Sequence, residues 1–455
     1  MRILRRSLTG DRRSVLSHAN SVAWALGVGQ AVAFLRDAVI VAKFGAVGVT
    51  DAYFVAISFP DLILQVSLAG AASSALIPLL ERHAGAGGDA AEWGVVGPVM
   101  MLFVALGTAA VTVGLAATPK IVSILAPGFG PETARLAVLL ARITMPCALF
   151  LMASGLLAGW LNFGGTFFLP AMQFVVQSTV IALFALVFGH RWGITSAAVG
   201  FFLGSILAAS LLLSRVWHKI PQKGFLAPRL TPGLVREFAT LALPITLTAT
   251  ATQLTLVAEK LAATLFVAGS VAAIVLARKV GYVLVYVGSQ SYVTAVYPTL
   301  VRAAAGRGER TYEATLRSSV LVVLSVMTVV AVLLWISADW IVPVLLRRGA
   351  FSARDAENVA SLVRWFAVGI PIFSLNSLLI RAYYAQNRAL EPLLISAASL
   401  VIYAVGLLVL PRTLGVPGIV AALIVSDTCR LFLMGYRLHV TINRVTLGVG
   451  GVAPA

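Results

Sequence analysis

Apolar stretches of about 20 residues or more follow one another from residue 14 to residue 436, separated by short polar breaks. A run of that length crosses a hydrocarbon core of roughly 30 Å as a helix, which satisfies its own backbone groups. The period-two alternation of a membrane barrel strand is absent. Hydropathy and breaker residues predict twelve spans, at roughly 17 to 43, 51 to 80, 93 to 118, 134 to 161, 167 to 189, 193 to 217, 234 to 266, 269 to 301, 313 to 337, 356 to 385, 390 to 411 and 415 to 438. The predicted class is an all-α polytopic membrane protein.

The most polar connection, "RVWHKIPQKGFLAPRLTPGLVRE" at 215 to 237, separates two halves of six spans. The expected organisation is an N-terminal six-helix lobe over 1–217, a cytoplasmic linker over 218–233, a C-terminal six-helix lobe over 234–441 and a cytoplasmic tail over 442–455. The halves also resemble each other. "LLARITMPCALFLMASGLLAGWLNFGGTFFLPA" from 139 matches "LVRWFAVGIPIFSLNSLLIRAYYAQNRALEPLL" from 362, pairing Arg142 with Arg364 and Pro170 with Pro392. Gly193 pairs with Gly415 further on, and every pair is 222 residues apart. An even number of spans per half inserts both repeats the same way up, as in transporters built from two parallel lobes.

Composition sharpens this picture. The 455 residues are 60% hydrophobic and 11% charged, with a net charge of +17 and a pI near 10.6. Dispersed basic residues, rather than one patch with stacking aromatics, argue against nucleic acid. Their positions report topology instead. Of 34 Lys and Arg, 19 fall in connections on the side of the N-terminus and 8 on the opposite side: Lys43, Lys120, Arg135, Arg191, Arg347, Arg348, Arg354 and Arg412. That bias puts both termini in the cytoplasm. The opening "MRILRRSLTGDRRSVLSHANSVAWALGVGQAVA" has the outline of a secretory signal, but its apolar run is long and continues into a charged helix, so retention is expected. Cys147, Cys429 and five scattered histidines form neither a disulfide framework nor a metal-ligand spacing. A phosphate-binding G-x-x-x-x-G-K-[ST] loop, a nucleophile elbow and an H-E-x-x-H pair are all absent, which disfavours an enzyme.

The remaining seven basic residues, Arg36, Arg142, Lys260, Arg278, Lys279, Arg364 and Arg430, lie inside the spans. An unpaired charge at mid-bilayer costs about 2.5 to 3.5 kcal/mol even on insertion scales, so each requires a partner, a wet cavity or a snorkelling route. Arg142, Arg364 and Arg430 fall near predicted helix ends, where snorkelling suffices. Arg36 and Asp37 are neighbours on one helix and point about 100° apart, so separate partners are expected. Glu259 and Lys260 repeat the acid and base pattern at the start of the second half. Gly27 and Gly29 would permit a bend in the first helix. A cavity between the lobes is the common destination expected for these side chains. A net cationic cavity suits phosphate, whose oxygens match Arg forks and Lys point charges; organic cations would call for acids and aromatic cages.

The stretch "LRDAVIVAKFGAVGVTDAYFVAISFPDLILQVSLAGAASSALIPLLERH" resembles the opening of the MurJ (MviN) family of lipid II flippases, in the MATE-like MOP flippase superfamily. The family's order of R-D, F-G-A, T-D-A-F-F-V-A, P-N-L and G-A-F-S-x-A-F-x-P is followed without a gap from Arg36 to Pro78. "YYAQNRALEP" at 383 to 392 looks like its polar turn before a proline, and "SVAAIVLARKVGY" like its helix with a central arginine. The resemblance implies two six-helix bundles around a cationic cavity, moving an undecaprenyl-diphosphate-linked glycan by alternating access in the bacterial inner membrane. It makes Arg36 the essential arginine of the first helix, Asp51 the acid opening the second, and Arg278 the cavity arginine of the eighth. Substrate contacts are then expected at Arg36, Arg278, Lys279 and Lys260, and gating or coupling at Asp37, Asp51 and Glu259. No cofactor is expected; a coupling cation (Na+ or H+) or the membrane potential would supply the energy. The partners implied are the lipid-linked glycan and the bilayer, with no nucleic acid and a monomeric chain.

Three departures bear on the substrate. Gln30 and Leu64 stand where lipid II flippases usually place two further cavity arginines, and Ala69 replaces a glutamate. The chain also stops at residue 455, without the family's thirteenth and fourteenth helices. An exopolysaccharide or O-antigen precursor therefore remains an alternative cargo, and a cation-coupled drug or metabolite antiporter the alternative class. Reporter fusions after residue 225 and after residue 445 are expected to read cytoplasmic; a periplasmic signal at 225 would overturn the two-lobe scheme.

Overall fold

Long apolar runs leave backbone N–H and C=O groups no partner except along their own chain, so the runs become helices. A computed structural model describes residues 12–66, 72–84, 87–221, 231–305, 309–386, 388 and 390–446, and no strand occurs among them. The chain forms two compact units, Met1–Val257 and Ala258–Ala455. The fold is all-α, as expected.

The first unit contains α1 (Arg12–Phe44), α2 (Gly48–Ala56), α3 (Ser58–Val66), α4 (Ala72–His83), α5 (Gly88–Leu125), α6 (Pro131–Thr144), α7 (Cys147–Phe163), α8 (Phe168–Trp192) and α9 (Thr195–Val216). A 3₁₀ turn, Trp217–Lys219, follows α9, and α10 (Pro232–Thr264) begins here and runs on past Val257. Leu234, Phe238 and Ala242 of α10 join the core around Trp160, Phe103 and Leu76. At its edge the Trp160 indole N–H donates to Glu92 (2.6 Å), which also receives Lys219 (3.0 Å).

The second unit holds the end of α10, then α11 (Ser270–Leu284), a π-helical turn (Val285–Gln290) and α12 (Ser291–Ala305). It continues through α13 (Glu309–Leu346), α14 (Ala353–Ala385), α15 (Leu390–Leu414) and α16 (Pro417–Thr446). Ser352 caps α14 in a capping box with Asp355, satisfying N–H groups at the helix start.

The internal repeat is visible in the helices themselves. α1 and α10 are both 33 residues, α5 and α13 both 38, and α8 and α15 both 25. Gly193 and Gly415, matched in sequence, end α8 and α15 with positive φ of 56° and 67°, a conformation glycine adopts without a Cβ penalty. The repeats diverge where proline intervenes. Pro131–Thr144 and Cys147–Phe163 are bent by 41° around Pro146, whereas α14 passes the matching position, Val368, without a break.

Among the described residues, eight helices are long and apolar enough to cross a membrane, ten if each of two bent pairs is one span; the second pair is Pro232–Leu243 with Ile245–Thr264, bent by 42° at Pro244. α1 has the length, but Arg12, Arg13, Arg36, Asp37 and Lys43 dilute its apolar run. The stretch expected to be one span at 51 to 80 is divided at Ile57, where α2 ends and α3 follows. Pro60 explains this division, since its ring would collide with the Ala56 carbonyl and it has no N–H to donate. The Ser58 hydroxyl donates to the Phe54 carbonyl (3.0 Å) and seals the end of α2.

Close helix approach in the first unit rests on small residues. A Cβ at Gly200 would sit 2.9 Å from the Ile181 Cα, and one at Gly204 would sit 2.9 Å from the Gln177 carbonyl oxygen, so α8 and α9 meet backbone to backbone. Gly204→Ala is expected to destabilise the protein by about 1 to 3 kcal/mol. Gly27→Ala meets nothing within 4 Å and is expected to be neutral or slightly stabilising. Thermal melting in detergent checks both; equal melting points would remove the close-packing argument.

Candidate functional site

In the first unit, Arg36 and Asp37 do not take separate partners. The Arg36 Nε donates to Asp37 Oδ1 at 2.7 Å, and the Asp37 side chain is fully enclosed. The Cβ directions do diverge, but a guanidinium on a long stem can fold back around its own helix. The neighbouring carboxylate is the counter-charge within reach. Tyr53 of α2 and Asp61 of α3 are the next groups around this arginine. Tyr53 is completely buried, and its hydroxyl finds no hydrogen-bond partner among the described residues. Asp51 is buried in the first turn of α2, where the helix N-terminus favours an acid. The turn before it needs Gly45 at φ 78°, whose carbonyl accepts the Thr50 hydroxyl (2.5 Å).

Gly27 and Gly29 lie inside α1, which runs without interruption from Arg12 to Phe44. Gln30 is exposed on α1 and Leu64 half-buried on α3, while Ala69 lies outside the described residues. So do residues 222–230 of the expected linker and 447–455 of the expected tail.

In the second unit, Glu259 of α10 is matched by Arg278 of α11. The Arg278 Nε donates to Glu259 Oε1 at 2.9 Å and its Nη2 faces the other oxygen, Oε2. The guanidinium also lies over the rings of Tyr282 (5.1 Å) and Phe366 (5.4 Å). Lys260 and Lys279 are half-buried beside this pair in sequence, each with electrostatic or hydrogen-bonding interactions of its own. Each unit thus places an arginine against a buried carboxylate, and the charge expected to be free is locally neutralised. The guanidinium has five N–H groups, so a carboxylate partner does not exhaust it.

Residues of α16 were missed. Arg430 is not near a helix end, because α16 continues to Thr446, and it pairs instead with Asp427 one turn earlier (2.8 Å). The Asn376 amide of α14 donates to the Asp427 backbone carbonyl (2.9 Å). Tyr403 of α15 is buried nearby with its hydroxyl unpartnered among the described residues. A survey of acids as well as bases inside the spans finds Asp427, since an acid three residues before an arginine is a helix ion-pair spacing. Arg364 also stands away from a helix end, pairing with Asp339 of α13. Arg142 is exposed in the last turn of α6. No group of three His, Cys, Asp or Glu that could hold a metal occurs among the described residues.

The model of the MurJ family, described as lipid II flippase, matches residues 40–445. The chain belongs to this family. A probable lipid II flippase MurJ of Rhizobium tropici is 27% identical over 426 residues, covering 90% of this chain and 78% of that protein. Its counterpart from Rhizobium meliloti is 28% identical over 420 residues, covering 88% and 76%. A solved lipid II flippase MurJ in an inward closed conformation matches with a TM-score of 0.78 at 21% identity, covering 92% of this chain and 87% of that one. An inward-facing multidrug resistance MATE family transporter of the MOP superfamily also reaches 0.78, at 14% identity, covering 93% and 98%. The fold is therefore that of the MOP superfamily, and the family is one of inner-membrane flippases.

The two kinds of ion pair differ in what they contribute. Glu259→Ala leaves Arg278 buried without its counter-charge and is expected to cost about 3 to 5 kcal/mol. Asp339→Ala removes the partner of Arg364 at a site where the acid is 66% exposed, and should cost less than about 1 kcal/mol. Melting profiles in detergent separate the two; similar losses would mean that the Glu259 pair is solvated.

Proposed function

We propose that this chain carries a lipid-linked glycan with a diphosphate, lipid II foremost, across the inner membrane by alternating access, with both termini in the cytoplasm and the product feeding peptidoglycan assembly. The observation that carries this reading is that a chain of this family has a part-buried arginine in each unit, Arg36 and Arg278, at the positions where the family resemblance puts contacts to the diphosphate. An arginine fork fits phosphate oxygens in pairs, and its charge survives burial. Lys260 and Lys279 would add point charges. Asp37, Asp51 and Glu259 would govern gating or coupling to a cation or to the membrane potential, in a monomeric transporter without a cofactor.

A second reading is favoured by Gln30 and Leu64. Two arginines fewer would weaken the grip on a diphosphate, at about 1.5 to 3 kcal/mol for each charge-assisted hydrogen bond lost. Another lipid-linked glycan, whose sugar supplies the missing contacts, would then be the cargo. A drug antiporter is disfavoured by the family match.

In cells depleted of their own lipid II flippase, the unmodified chain is expected to complement weakly, Arg36→Ala and Arg278→Ala not at all, and Lys at either position in part. Gln30→Arg with Leu64→Arg should improve complementation. Full activity of Arg36→Ala would overturn the diphosphate reading. Flipping of defined lipid-linked donors in proteoliposomes distinguishes lipid II from other glycans.

A further inference from the structure

Asp37 and Glu259 are 222 residues apart, the same offset that relates Arg142 to Arg364 and Gly193 to Gly415. The arginines they hold do not share that relation. Arg36 is the preceding residue on the same helix, and Arg278 comes from the next helix. What the two units have in common at this position is a carboxylate, almost fully buried in both, set against a guanidinium that a phosphate would also suit. A counter-ion placed in this way competes with an anionic cargo for the same N–H groups.

We propose that Glu259 is an exchangeable counter-ion: the cargo diphosphate takes its place on Arg278, and the released carboxylate accepts a proton from water, so that loading the anion brings a proton into the protein. Asp37 is its duplicate in the first unit. The inference rests on the reading that Arg36 and Arg278 hold the diphosphate. The one covalent change is the O–H bond formed on the carboxylate, with the proton given up by the buffer. An arginine–carboxylate pair is replaced by an arginine–phosphate pair of similar geometry, and the proton neutralises a carboxylate that would otherwise stand buried and uncompensated, a state too costly to persist.

The groups around this exchange single out Glu259. From α11 come Arg278, Lys279 and Tyr282, from α10 Lys260, from α15 Tyr403, and from α16 Asp427 with Arg430. Asp427 is the competing acid, but its carboxylate has Arg430 as an ion-pair partner on its own helix. Glu259 pairs with Arg278, and its sequence neighbour Lys260 is tested with it. At Asp37 the facing groups are Arg36, Tyr53 and Asp61, and Asp61 would compete in the same way.

The test uses the full chain in detergent and lipid II as the probe, because its doubly esterified diphosphate keeps a constant charge near neutral pH. Titration calorimetry in buffers of different ionisation enthalpy counts the protons taken up. The wild type is expected to take up at least about one proton per lipid bound, with affinity falling about tenfold per pH unit for each proton where uptake is complete. Glu259→Gln should bind more tightly and take up about one proton fewer, while Asp427→Asn and Lys260→Met keep the uptake. Because Gln leaves Arg278 without its counter-charge, the variant's melting profile is recorded; if the variant does not fold, absence of proton uptake by the wild type still overturns the exchange, and loss of uptake in Asp427→Asn does so too. Binding without proton uptake, or uptake lost in Asp427→Asn and kept in Glu259→Gln, overturns the exchange and leaves the diphosphate reading standing. Equal binding of lipid II by the wild type and Arg278→Ala overturns both.

Discussion

A charge that leaves water for the interior of a membrane protein has to meet an opposite charge there, and this requirement organises the polar side chains of both units. An uncompensated arginine would oppose insertion of its helix by several kcal/mol, whereas a matched pair is tolerated at a much smaller cost. The match is made in three ways here. Arg36 folds back onto the adjacent Asp37, Arg430 reaches Asp427 one turn away, and Arg278 crosses from α11 to Glu259 on α10. Pairing also keeps each cation latent, since a guanidinium held by a carboxylate stays charged and oriented and retains further N–H groups for another anion.

The same requirement explains why polar residues cluster instead of scattering. Around Arg278 the aromatic faces of Tyr282 and Phe366 exclude water from the flanks of the guanidinium and add attraction through their rings. Asp427, Asn376 and Tyr403 extend the polar region across α14, α15 and α16. Among them, the Asn376 side-chain oxygen and the Tyr403 hydroxyl are buried without hydrogen-bond partners in the described structure.

The MATE transporter and the MurJ flippase match this chain with the same TM-score, so the fold does not distinguish a drug from a lipid-linked glycan. The family match does. The two halves of the chain repeat each other in paired helix lengths and in two matched positive-φ glycines. Local substitutions then made the units different, as at Pro146, where a helix bends that continues through Val368 in the other unit.

Much of this was legible in the sequence because its cause is local. Apolar runs longer than a bilayer is thick become helices wherever they lie, a constant offset of 222 residues exposes the repeat, and the ungapped motif from Arg36 to Pro78 carries the family. The family itself was therefore determined by the sequence, as were the basic residues that need partners. Which partner each one takes was decided by tertiary structure. Helical periodicity predicts the direction of a Cβ, and on that ground Arg36 and Asp37 appeared separate; the end of a long side chain is placed by whatever counter-charge packing leaves within reach. Arg278 finds Glu259 across 19 positions because α10 and α11 pack together there, which no local pattern encodes. The division of the 51 to 80 stretch was within reach of the sequence through Pro60, but the role of Asp427 depended on how far α16 extends and on what α14 and α15 place against it.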